Sequence, residues 1–175
     1  VRVVADHDDE TVAFTDYHGI YINACNHITW SFPSRLLRSM SLEGLNAHEC
    51  GHNLFTDERI WHSYFAGLAK GKFYPKMPDG LDSMQKLYAK DILALTDDTD
   101  TVPMQVIMST AHALSNILED GYVDARYSYE FPGSPAKGIA LNNLRYADTM
   151  PEITEMINRK YYDHSIVVNL LIQYV

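Results

Sequence analysis

The chain has 175 residues and a mass of 19.9 kDa, the size of one ordinary domain or a large part of one. Its 14 Lys and Arg against 23 Asp and Glu leave a net charge of −9, which argues against a polyanion-binding surface because phosphate contacts need clustered cations. With 46% hydrophobic and 21% charged residues the composition is globular and not disordered, and no apolar run approaches the ~20 residues of a membrane span.

The predicted elements follow in chain order. An acidic lead-in (Asp6, Asp8, Asp9, Glu10) precedes a hairpin-like segment, with strands over 11–15 and 20–23 around a turn at Asp16-Tyr17-His18-Gly19. After Pro33 the apolar period becomes helical, with Ser34 capping a helix through Leu37, Met40, Leu45, His48, His52 and Phe55. A second helix covers Glu58 to Lys70. Phe73 to Gly80 is a loop, and Asp82 caps a helix through Leu95. Thr101 as cap and Pro103 in the first turn open a long helix reaching Tyr129, broken over Phe131 to Pro135. Helical segments follow over Ala136 to Ala147 and from Pro151 to about Val175. The expected fold is mainly α (α+β), a helical domain with a small N-terminal β-hairpin. No composition shift marks a linker, so residues 1–175 are expected to form a single domain. The chain starts at Val1 and stops inside an apolar run at Val175, which suggests a fragment of a longer polypeptide. Cys25 and Cys50 do not make a disulfide framework, and with no signal peptide in view the expected setting is cytoplasmic.

One motif stands out: His48-Glu49-Cys50-Gly51-His52, an instance of H-E-x-x-H. Helical residues four apart lie about 40° apart on one face and about 6 Å along the axis, so two imidazoles so placed can share one Zn²⁺. Glu49 projects about 100° away. There it can take a proton from metal-activated water and pass it to a leaving amine. With eight His and eight Glu in the chain, a chance match is expected roughly 0.02 times.

A catalytic zinc needs a third protein ligand. Six residues past His52 stands Glu58, but the turn that this spacing requires usually has Gly where Phe55 stands. The better source is the run Asn116-Ile117-Leu118-Glu119-Asp120-Gly121-Tyr122-Val123-Asp124. Adjacent acids inside an apolar helix are costly unless a cation compensates them. Glu119 is the expected direct ligand, with Asp120 as its orienting neighbour. The alternative is Asp120 as ligand with Asp124, one turn on, as its support. Asn116, Asp120 and Asp124 are the supply of acceptors to hold the ligand histidines in one tautomer. His112 lies on the stripe of Asn116 and Asp120 and could face the metal. Tyr122, Tyr127 and Tyr129 are candidate oxyanion partners. Cys50 has no second cysteine at metal spacing and reads as a small buried residue. The strand over 20–23, if it is an edge above the cleft, could hold an extended peptide by strand addition. Asp97, Asp98 and Asp100 lack the Gly and Glu spacing of a calcium loop, and nucleophile-elbow, P-loop and dinucleotide motifs are absent from the sequence.

The series Phe14-Thr15-Asp16…Gly19-Ile20-Tyr21-Ile22-Asn23, then His48 to Thr56, then Asn116-Ile117-Leu118-Glu119-Asp120 resembles the gluzincin-type metallopeptidase domain found ahead of von Willebrand factor A-like domains, in bacterial and phage proteins related to cobaltochelatase subunits. The resemblance spans roughly residues 11–126. It implies a zincin-like fold, His48 and His52 as zinc ligands, Glu49 as general base and Glu119 as third ligand. It also implies a von Willebrand-like domain downstream, and an ATPase is the other candidate partner. Gly121 departs from the expected continuation and would weaken the helix by up to ~1 kcal/mol relative to Ala. The resulting expectation is a zinc-dependent metallopeptidase with one Zn²⁺ per chain, acting on a peptide or protein and on neither nucleic acid nor membrane. The alternative is a catalytically silent, zinc-stabilised adaptor.

Overall fold

The structure, a computed structural model, describes residues 1–8, 10–72, 76–97 and 101–175. Asp98 and Asp100 of the acidic loop, Asp9 of the lead-in and the start of the Phe73–Gly80 loop lie outside the described residues. The fold is mainly helical with one three-stranded sheet. Strands β1 (Arg2–Val4), β2 (Ala13–Thr15) and β3 (Ile20–Asn23) stand in the order β1-β3-β2.

The hairpin forms where the sequence places it, with β2 antiparallel to β3 and Phe14 stacked on its cross-strand partner Tyr21 at 5.0 Å. Its turn is closed by the Asp16 carboxylate, which accepts the backbone N–H of His18 and Gly19 at 3.0 and 2.7 Å. Those bonds hold the Asp16 carboxyl below its ordinary pKa. They also support Tyr17 in a left-handed conformation, φ 63°.

The sheet corrects one expectation. The strand over 20–23 is central and not an edge, because β1 pairs with it in parallel on its other side. Three residues ahead of an acidic run are too few to register as a strand. Asn23 supplies what fixes them: its fully buried side chain donates to the Asp6 carbonyl at 2.8 Å and accepts the N–H of Asp6 and Cys25.

The helices are α1 (His27–Ser31), α2 (Arg35–Phe55), α3 (Glu58–Leu68), α4 (Ser83–Leu95), α5 (Val102–Glu130), α6 (Ser134–Thr149), α7 (Ile153–Asn158) and α8 (Asp163–Tyr174). Ser34 caps α2, Asp57 caps α3, and Asp82 with Gln85 forms a capping box on α4. The helix α1 was not expected; Asn26 caps it, accepting the Thr29 N–H at 2.8 Å. The expected single helix from Pro151 is two, separated at Lys160, whose φ of 57° ends the first. Neither Gly nor Pro marks that break. Among the described residues, no helix is long and apolar enough to cross a membrane.

The chain divides into two compact units, Val1–Thr56 with Asn116–Val175, and Asp57–Ser115. No change of composition announces the division. In the second unit Leu68, Ala89 and Met104 are buried, and Trp61, Phe65 and His112 form an aromatic cluster.

The core of the first unit contains Ile22, Ile28, Phe32, Ala47, Val123, Ile139 and Met156. A buried polar chain threads it. Asn26 donates to Thr29 Oγ1 at 2.9 Å, Thr29 and Ser41 hydroxyls share a bond of 2.9 Å, and Asn142 of α6 donates to the Ser41 carbonyl at 2.9 Å. There α2 and α6 cross at Gly44 and Gly138, where a Cβ on either would overlap the backbone of the other helix. Gly138→Ala should therefore cost about 1–3 kcal/mol of stability, the scale of core overpacking, read by urea denaturation. An unchanged midpoint would contradict backbone contact at this crossing.

Candidate metal centre

The motif lies in the last two turns of α2, and helical spacing puts His48 and His52 on one face. Their Nε2 atoms are 3.1 Å apart. From α5, Asp120 Oδ1 stands 3.2 Å from His52 Nε2 and 3.8 Å from His48 Nε2. Among the described residues, His48, His52 and Asp120 are the group whose donor atoms converge as a metal site requires. Ligand atoms bound tetrahedrally at 2.0–2.1 Å lie about 3.3 Å from one another, a separation the three observed distances bracket. Two imidazoles and one carboxylate, with the remaining position open, are a donor set that suits zinc and related divalent ions.

Each of the three donor side chains is held from behind. The Nδ1–H of His48 donates to Asp124 Oδ1 at 2.7 Å, which turns Nε2 toward the convergence point, where a cation would displace its proton. The other oxygen of Asp124 accepts from Asn143 of α6 at 2.9 Å. Nδ1 of His52 bonds Thr56 Oγ1 at 3.2 Å, and Asn116 donates to Asp120 Oδ2 at 3.0 Å. Burial opposes a charged His48 ring, but the Asp124 hydrogen bond and the charges of Asp124, Asp120 and Glu49 outweigh it, raising its pKa to about 9. These carboxylates thus leave the site rich in negative charge, the condition under which a cation binds.

Glu49 is buried, only 6% exposed. Its burial pushes its carboxyl above the ordinary value, against the pull of His48 and His52 and with Asp120 and Asp124 adding to the rise. It lines a cleft of about 250 Å³ together with His48, Asp120, Asp124 and the Val12–Ala13 end of β2.

Close approach of α5 to α2 depends on Gly51 inside the motif, where a Cβ would overlap Val123 of α5. Gly121 has a comparable reason: its missing Cβ leaves room for Val175, and α5 runs through it without a break. Cys50 is half-buried and not fully buried as expected, and desolvation raises the pKa of its thiol.

The structure brings together six of the residues singled out in the sequence: His48, Glu49, His52, Asn116, Asp120 and Asp124. Of the two residues named for the third position, Asp120 is the one in the converging group. Residue 119 is rotated about 100° from 120 on the helix, and Glu119 is outside the converging group. His112 packs instead against Trp61 and Phe65, with ring centroids 5.7 and 5.0 Å away, and Glu58 pairs with His62 at 3.1 Å. The Tyr122 hydroxyl accepts from Arg126, Tyr129 is 87% exposed, and Tyr127 packs near Gly51; the tyrosine lining the cleft is Tyr146. Sequence reading passed over Thr56, Asn143 and Gly51. Thr56 could have been found, because it lies one helical turn past His52. Asn143 carries no such signal.

Protein-family models, curated proteins and solved structures give no match to the chain. The geometry is therefore what carries the functional reading.

Asp120→Ala should abolish stoichiometric metal binding, Glu119→Ala should leave it intact, and Asp124→Asn should weaken affinity about 10–100-fold. Elemental analysis and competition with a chromophoric chelator measure all three. Loss of metal in Glu119→Ala alone would contradict the assignment.

Proposed function

We propose that this chain is a zinc-dependent hydrolase of peptide bonds, with one ion held by His48, His52 and Asp120 and with Glu49 as general base. The observation that supports the reading most is the convergence of those three donor atoms, with His48 and Asp120 lining one cleft beside the buried Glu49. The ion, when bound, supplies Lewis-acid activation of water and of a scissile carbonyl.

The chain's own residues supply the rest. Asp124 and Thr56 hold the imidazole rings in orientation, so little reorganisation accompanies binding. The burial-raised pKa of Glu49 brings the carboxyl nearer neutrality, where a group can both accept a proton from water and return it to a leaving amine. β2 is the sheet edge whose first residues wall the cleft, a place for an extended chain and hence for a peptide or protein substrate. The resemblance to gluzincin-type metallopeptidase domains points the same way. It adds to the proposal a zincin-like fold and a downstream von Willebrand factor A-like domain, with an ATPase as the other candidate partner. The two free cysteines suit a reducing, cytoplasmic setting.

Glu49→Gln should keep about one zinc per chain and lower turnover of a randomised peptide mixture by about 10²–10⁴-fold. Undiminished turnover in that variant would contradict the reading. A zinc-loaded wild-type chain that cleaves no peptide would favour the adaptor.

A further inference from the structure

Asn53 stands one residue past the second motif histidine, exposed on the last turn of α2. Both N–H groups of its carboxamide are used. One donates to Thr15 Oγ1 at the end of β2, 2.8 Å away, and the other to the Glu49 carbonyl at 2.9 Å. Thr15 is matched to this role. Its hydroxyl donates to the Gly19 carbonyl at 3.1 Å and accepts from Asn53 and from the Tyr17 N–H at 3.2 Å, which satisfies its one donor and both lone pairs. A single side chain thus ties the backbone of the general-base residue to the strand that walls the cleft.

Few residues can do this. Asp has no donor, Ser has one, and the extra methylene of Gln would displace the amide from one partner. Phe14 and Thr15 pair with Tyr21 and Ile20 on the β3 side only, and β2 is at the edge of the sheet. The height of that edge above the metal-binding face of α2 is fixed by whatever joins strand to helix at this end.

We infer that Asn53 is a positioning residue: with Thr15 it forms a latch that sets β2 at the height where an extended peptide can pair with its edge while its scissile bond reaches Glu49. The inference rests on the peptidase reading and names how that site takes its substrate. Long substrates, which engage the edge, depend on the latch, and short ones, which reach only the metal and Glu49, do not.

The test compares wild type with Asn53→Asp in the full chain, loaded with zinc, on randomised fluorogenic peptides of three and of eight residues. The expected result is a KM about tenfold higher for the eight-residue mixture, on the scale of a lost hydrogen bond. Its kcat, the three-residue kinetics and the zinc content should stay unchanged. Asn53→Ala serves as second variant, since Ala is the stronger helix former and the position is exposed. Thr15→Ser keeps the hydroxyl and should behave as wild type. A second readout needs neither metal nor substrate: amide exchange of residues 13–15 should speed up in Asn53→Asp. Equal loss for both peptide lengths, unchanged kinetics, or unchanged exchange would overturn the latch. Absence of cleavage by zinc-loaded wild type would sink the peptidase reading instead, and the exchange readout would still decide whether the latch exists.

Discussion

The hydrogen bond from His48 Nδ1–H to the Asp124 carboxylate is the constraint on which the geometry of the site depends. It fixes the ring's tautomer and turns Nε2 toward the convergence point. It also sets the rotation of α5 relative to α2. Once Asp124 faces His48, helical spacing brings Asn116 and Asp120 to the same face, and Glu119 is turned away by about 100°. Asp120 then meets both imidazoles, with Asn116 holding its second oxygen. Asn143 of α6 closes the arrangement by occupying the second oxygen of Asp124.

That bond can form only because the helices come close. Gly51 within the motif leaves the space that Val123 fills, and Gly44 with Gly138 lets α6 cross α2 at backbone contact. The buried polar chain from Asn26 through Thr29 and Ser41 to Asn142 adds direction to what packing alone would leave free to slide. Through Ser41 and Asn142 this chain joins α2 to α6, which carries the Asn143 that bonds Asp124. At the other end of the motif, Asn53 tethers the sheet edge.

The motif, its helix and the caps at Ser34 and Asp82 were legible in the sequence, because they depend on spacing along one element. Ser34 and Asp82 both cap where local chemistry says they should. The hairpin was legible for the same reason, from its Asp16–Gly19 turn. What was not legible depends on partners distant in sequence. β1 exists because Asn23 holds the chain beside β3, and nothing within residues 2–4 announces it. Which of Glu119 and Asp120 faces the two imidazoles is a question of rotation, and Val123 against Gly51 and Asp124 against His48 place Asp120 there. The break at Lys160 occurs without Gly or Pro, and the two compact units share a composition.

The most direct test of the account is anomalous diffraction at the zinc absorption edge on crystals grown with zinc and no chelator. The account predicts one peak per chain, at bonding distance from His48 Nε2, His52 Nε2 and Asp120 Oδ1, with Glu49 beside it and unbound. No ordered ion at this site, or an ion ligated by Glu119 in place of Asp120, would contradict it.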